Sequence, residues 1–146
     1  MICGLPGSGK STLAAKLERD LPALLFTPDE WIERMNEDGH KKGKRKLVED
    51  LQWRVARNAL RLGLDVVLEN GFWSKQEREQ FRLEAAAVGA TTKLYFLDVP
   101  PEELKRRLHA RNMNLPANAF YVNPDLIDTW LKEFEPPTDD EINGSL

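Results

Sequence analysis

The chain has 146 residues, 41% of them hydrophobic and 31% charged, with a formal net charge of −3 and a pI of about 5.5. That length suits one domain with one core, and the acidic balance excludes a global pull toward nucleic acid or anionic lipid while leaving room for a local basic patch. No apolar run approaches the ~20 residues that span a bilayer, and the single cysteine, Cys3, with two histidines far from it, excludes an internal disulfide and argues against zinc.

In chain order, Met1-Ile2-Cys3 reads as the end of a strand, followed by a glycine-rich turn over 4–9. A helix is predicted over 10–21, with Leu13, Ala14, Leu17 and Leu21 on one stripe and Pro22 as its stop. Residues 23–27 read as a short buried strand. Pro28 opens a helix whose first turn carries Asp29 and Glu30. The polar stretch 36–45 holds Gly39, Gly43 and five positive residues if His40 is protonated, and predicts a mobile loop. A long amphipathic helix follows over 46–62, closed by Gly63.

Within 65–69 the run Val66-Val67-Leu68 predicts a buried strand. Ser74 caps a helix to about Val88, with Gly89 as its stop. Then come a strand over 91–99, a helix over 101–111, an irregular stretch over 112–121 and a helix over 124–134 capped by Asn123. Strands alternating with helices predict an α/β domain with a mostly parallel sheet covered on both faces. The short first strand and the strandless tail after Pro137 suggest a domain shortened at both ends. Met1-Ile2-Cys3-Gly4 does not read as a signal peptide, and a lone cysteine suits a reducing cytosol.

The most specific motif is Gly4-Leu5-Pro6-Gly7-Ser8-Gly9-Lys10-Ser11, which meets every fixed position of G-x-x-x-x-G-K-S/T. Glycines let successive N–H groups turn inward, and the following helix, continuing through Thr12, points its positive end at the same place. Lys10 supplies charge for the β and γ phosphates, and the Ser11 hydroxyl is a ligand for Mg²⁺. ATP and Mg²⁺ are the expected cofactors. The Gly-Lys-Ser ending excludes a dinucleotide fold, and the absence of an Asn-Lys-x-Asp element disfavours GTP.

A P-loop enzyme needs an acid near the metal. Two strands end in one, at Glu69 and at Asp98. Glu69 is preferred, because Asn70-Gly71 makes an open turn where ligands of a parallel sheet bind. Asp29 follows the second strand, where a carboxylate either takes the proton of an attacking hydroxyl or merely favours the helix start. Arg107 and Arg111 share one helix face with Arg106 nearby, which suits either phosphate charge or a solvated surface. Trp53 and Trp130 read as core, His109 as surface. Trp73 lines an acceptor pocket or packs.

These motifs together resemble the AAA-type P-loop kinases that include the 5′-polynucleotide kinase domain, zeta-toxin-like kinases and chloramphenicol phosphotransferase. The resemblance runs through Gly4–Ser11, Thr27-Pro28-Asp29-Glu30-Trp31, the stretch 63–73 with Arg78, Leu97-Asp98-Val99-Pro100 with Leu104 and Arg107, Arg111-Asn112 and Phe134-Glu135-Pro136-Pro137. It implies a three-layer α/β/α P-loop NTPase over 1–146, with a lid-like segment over 107–121. It also implies that Asp29 is the general base, Arg111 a lid arginine on the ATP phosphates, and Arg78 a residue on the acceptor side, where Asn70 and Trp73 of the preceding turn are also expected to bind substrate. Glu69 stands where the family usually has Asp. Polynucleotide kinases usually carry an arginine three residues after the base, where this chain has Ile32, with Arg34 two further on. That departure favours a small-molecule hydroxyl acceptor over a nucleic-acid 5′-end. The rivals are a polynucleotide or nucleoside kinase and an ATP-binding regulatory module without an acceptor.

Overall fold

The computed structural model describes residues 1–35, 42–115 and 119–144. β1 (Ile2–Cys3) leads through the glycine turn into α1 (Lys10–Asp20), and β2 (Ala23–Phe26) into α2 (Pro28–Arg34). α3 (Lys42–Arg61) precedes β3 (Asp65–Leu68), and α4 (Lys75–Ala86) precedes β4 (Tyr95–Phe96). α5 (Pro101–Met113), a 3-10 turn at Pro124–Leu126, α6 (Ile127–Glu133) and α7 (Asp139–Asn143) complete the described chain.

The strands pair in parallel. Ile2 lies opposite Tyr95 in β1–β4, and Ala23 through Phe26 lie opposite Asp65 through Leu68 in β2–β3. An isolated parallel bridge from Cys3 to Gly71 joins the two pairs, with the Gly4 N–H donating to the Gly71 carbonyl at 3.0 Å. The lateral order is therefore β2, β3, β1, β4. Successive connections leave in opposite directions at β1 and β3, and the carboxyl ends of such strands form a crevice where ligands bind.

Side chains alternate along each strand. Ile2, Leu25, Val67 and Leu97 pack with Leu13, Ala14 and Leu17 of α1. Their neighbours Cys3, Phe26, Leu68 and Phe96 pack with Trp53 and Ala56 of α3 and with Phe81 and Ala85 of α4. Each fully buried large side chain contributes about 1.5–3 kcal/mol. A third cluster, Leu5, Leu104, Leu108, Val122 and Ile127 with Trp73, Trp130 and Phe134, holds α5 and α6 against the glycine turn.

Three expectations are corrected. The strand expected over 91–99 is Tyr95–Phe96 alone, because its ladder bonds run only to Met1 and Cys3. α3 starts at Lys42, so residues 42–45 of the expected loop are helical, while 36–41 lie outside the described residues. The last helix divides into a 3-10 turn and α6. The tail carries α7, opened by a capping box between Thr138 and Glu141. Residues 116–118 of the expected lid segment also lie outside the description. Among the described residues no helix is long and apolar enough to cross a membrane.

Candidate active site

The glycine turn feeds α1 through Gly9, its N-cap, held in the left-handed region at φ 97°. No side chain caps this helix and no acid lies in its first turn, so its positive end faces outward uncompensated. A Cβ at Gly9 would meet nothing within 4 Å, which leaves room for a ligand there. Gly4 and Gly7 are required for the opposite reason. A Cβ at Gly4 would sit 2.7 Å from Ser8 Oγ, and one at Gly7 3.2 Å from both the Leu104 carbonyl and Leu108 Cγ. Ser8 Oγ is buried without a partner. Leu5 and Pro6 set the turn over the third cluster, with Leu5 buried in it.

Lys10 Nζ donates to the Leu5 carbonyl at 2.9 Å. Burial pushes its pKa down, while Glu69 and Asp29 push back. Ser11 Oγ donates to Glu69 Oε1 at 2.6 Å, and Thr27 Oγ1 to Glu69 Oε2 at 3.3 Å. The ends of β2 and β3 and the start of α1 thus meet on one carboxylate. Burial raises the Glu69 pKa, opposed by the Ser11 hydrogen bond and the Lys10 charge. A serine hydroxyl touching a carboxylate is a hard-oxygen pair that fits Mg²⁺, which takes one or two protein oxygens and fills its octahedron with phosphate and water. Of the two strand-end acids, Glu69 lies on Ser11, and Asp98 is exposed.

Asp29 stands in the first turn of α2 behind Pro28 and is bonded by the Arg45 guanidinium. Arg45 Nε also pairs with Glu49 Oε1 at 3.0 Å. Lys10, Glu69 and Arg111 each feel the Asp29 charge, which sets all four in one neighbourhood. Arg111 is half-buried, with Nη2 donating to the Phe120 carbonyl at 3.3 Å and Nε without a partner. Burial lowers its pKa, offset in part by Asp29.

Three expected residues stand apart from this group. Arg107 is exposed and its Nε donates to Glu103 at 2.7 Å. Trp73 packs edge-on against Trp130 and Phe134, with centroids 5.8 and 6.4 Å away. Arg78, 2% exposed, donates to Glu141 and to the carbonyls of Phe72 and Glu135. Asn70, by contrast, keeps a buried Oδ1 without a partner beside Glu69.

Arg45 and Glu49 are site neighbours that the sequence reading missed, and Gln52 continues their side of the helix. Their signal was the spacing of one helical stripe, hidden because Arg45 was placed in a loop. Thr27 was recognised in its motif without its bond to Glu69.

A glycine turn that feeds an uncapped helix and sets a serine hydroxyl on a strand-end carboxylate is a P-loop, the phosphate-binding element of nucleotide-binding domains. Residues 1–137 match the family model of the AAA domain, and the chain belongs to that family.

Proposed function

We propose that this domain is a three-layer α/β/α P-loop kinase that moves the γ-phosphoryl group of ATP to a hydroxyl of a small-molecule acceptor. The three-layer reading is supported by the strand alternation, which sends α1 to one cluster and α3 and α4 to another. The activity is supported above all by the convergence of Lys10, the Ser11–Glu69 pair and Asp29 at the carboxyl ends of neighbouring strands.

Main-chain N–H groups of Gly7 and of Gly9 through Thr12 hold the phosphates. Lys10 exchanges the Leu5 carbonyl for phosphate oxygens. Ser11 and Glu69 hold Mg²⁺, which when bound neutralises phosphate charge. Asp29, oriented by Arg45, takes the proton of the attacking hydroxyl while its oxygen forms the new bond to phosphorus and ADP leaves. Arg111, and Arg107 once free of Glu103, offset charge on the transferring group, worth about 10³-fold or more in comparable enzymes. Asn70 faces the acceptor directly, and Trp73 and Arg78 support that side from behind.

The test is γ-labelled ATP with a panel of antibiotics, sugars, nucleosides and 5′-hydroxyl oligonucleotides. Lys10→Ala is expected to abolish nucleotide binding or turnover. Asp29→Asn is expected to bind ATP normally and lose transfer by about 10²-fold or more. Full transfer by Asp29→Asn refutes the base assignment. Label on oligonucleotides alone marks a polynucleotide kinase, and ATP binding with no labelled acceptor marks a regulatory module.

A further inference from the structure

The stripe of α3 that faces Asp29 is polar where a helix packed on a sheet is normally apolar. Arg45, Glu49 and Gln52 fall at i, i+4 and i+7, on one side of the helix. The next residue on that side, Ala56, is already in the core with Trp53. α3 packs against α2, which carries Asp29, and against β2 and β3, the strand that leads into Glu69 and Asn70, and Arg45 ties the stripe to Asp29.

Gln52 is 1% exposed, and neither its Nε2 nor its Oε1 has a hydrogen-bond partner. Asn70 Oδ1 is in the same condition. Buried amides without partners are rare because each sacrifices its bonds to water. Such groups take their bonds from outside the chain, from a ligand or an ordered water. Glu49 is nearly as enclosed, and Arg45 is the partner it holds.

Charge narrows the ligand. The Arg45 guanidinium is already shared between Asp29 and Glu49. These three groups carry a formal charge of −1, and Glu49 also feels Glu77 from α4 and Lys46 from its own helix, itself paired with Asp50. A phosphate- or carboxylate-bearing acceptor finds the cations of this stripe already held by carboxylates, whereas a neutral hydroxyl finds both amide and carboxyl groups to bond.

Resting on the kinase reading above, we infer that Glu49, Gln52 and Asn70 form the acceptor-recognition wall, and that the acceptor is an uncharged polyhydroxylated small molecule of the sugar or polyol kind. Its non-reacting hydroxyls bond to Gln52 and Glu49 while the reacting hydroxyl faces Asp29. Arg45 is a positioning residue that aligns Asp29 and Glu49 with each other. Burial lifts the Glu49 pKa to about 7, so this carboxyl donates or accepts near neutrality.

The experiment compares the whole chain with Gln52→Leu and Glu49→Gln. It uses γ-labelled ATP against neutral sugars and polyols, and against nucleosides, sugar phosphates, sugar acids and 5′-hydroxyl oligonucleotides. Calorimetry of the same neutral sugars and polyols is run with a non-hydrolysable ATP analogue and Mg²⁺. A neutral polyol is expected to take the label, and its KM to rise about tenfold in Gln52→Leu with ATP affinity unchanged. The deoxy analogue that lacks the recognised hydroxyl should be equally poor for both proteins. Labelled nucleosides or anionic acceptors, or a KM indifferent to Gln52→Leu and Glu49→Gln, overturn the inference. Neutral compounds that bind in a Gln52-dependent way but never take label support the wall and refute the kinase reading. Absence of both binding and label defeats both. If Gln52→Leu fails to fold, Glu49→Gln carries the same comparison.

Discussion

Arg45 holds two carboxylates in unlike surroundings, Asp29 half open to water and Glu49 nearly closed from it. Burial dominates at Glu49 and pushes its pKa from 4.5 to about 7, with Arg45 and Lys46 pulling down and Glu77 pushing up. Because the folded pKa is the higher one, the native state keeps a proton that the unfolded chain releases between about pH 4.5 and 7. This group's contribution to stability is therefore greatest at low pH and falls as pH rises through that window. From pH 5 to pH 8 the loss is expected to reach roughly 2.5 kcal/mol. Glu49→Gln should remove most of that slope in urea unfolding, and parallel slopes in the two proteins would contradict the assignment. At this scale the P-loop was fully legible, since its chemistry needs fixed residue types at fixed spacing. Arg45 was not, because a basic residue next to Gly43 looks like loop, and only the helix beginning at Lys42 brings it to Asp29.

Between elements, the chain's tail is fastened to α4 by one buried ion pair. Arg78 Nε reaches Glu141 Oε1 at 2.8 Å, with the two side chains 2% and 7% exposed. The same guanidinium donates to carbonyls on the Phe72 turn and at Glu135. Phe72 sits at φ 48°, an unusual conformation for a side chain of that size, and the Arg78 bond to its carbonyl helps to hold it. Removing the cation leaves a buried carboxylate and two carbonyls unsatisfied. Arg78→Ala is expected to cost about 3–5 kcal/mol in denaturant unfolding. A cost below 1 kcal/mol in that measurement, roughly the worth of an exposed pair, would show that the clasp is not structural. The sequence disclosed the arginine and the helix that carries it, but not this destination. Its partner lies 63 residues away on a helix announced only by Thr138-x-x-Glu141, and no local pattern specifies a contact at that separation.

Across the whole molecule, the α/β alternation was legible, because buried parallel strands leave apolar runs between helical periods. The lateral order of strands was not, since it depends on the bridge between Cys3 and Gly71. A cavity of about 310 Å³ lined in part by Trp53, Leu60, Val66 and Phe81 lies at the start of β3, the opposite edge of the sheet from Glu69. Concavity alone would therefore have pointed away from the charged group at the P-loop. Ligand linkage tests the choice on the intact chain. ATP with Mg²⁺ at a hundredfold excess over its Kd should stabilise the fold by about 2.7 kcal/mol. The gain should shrink when EDTA removes the metal and vanish in Lys10→Ala, and a shift that survives in Lys10→Ala would place the nucleotide elsewhere.

Gly7 leans on Leu104 and Leu108 so closely that the loop and the interior of α5 have no slack between them. Enlarging an interior leucine of α5 by even a methyl group should therefore register first as weakened grip on polyphosphate. In a mutational screen scored by nucleotide retention, such wholly enclosed positions would surface among the hits and be mistaken for residues that touch the ligand.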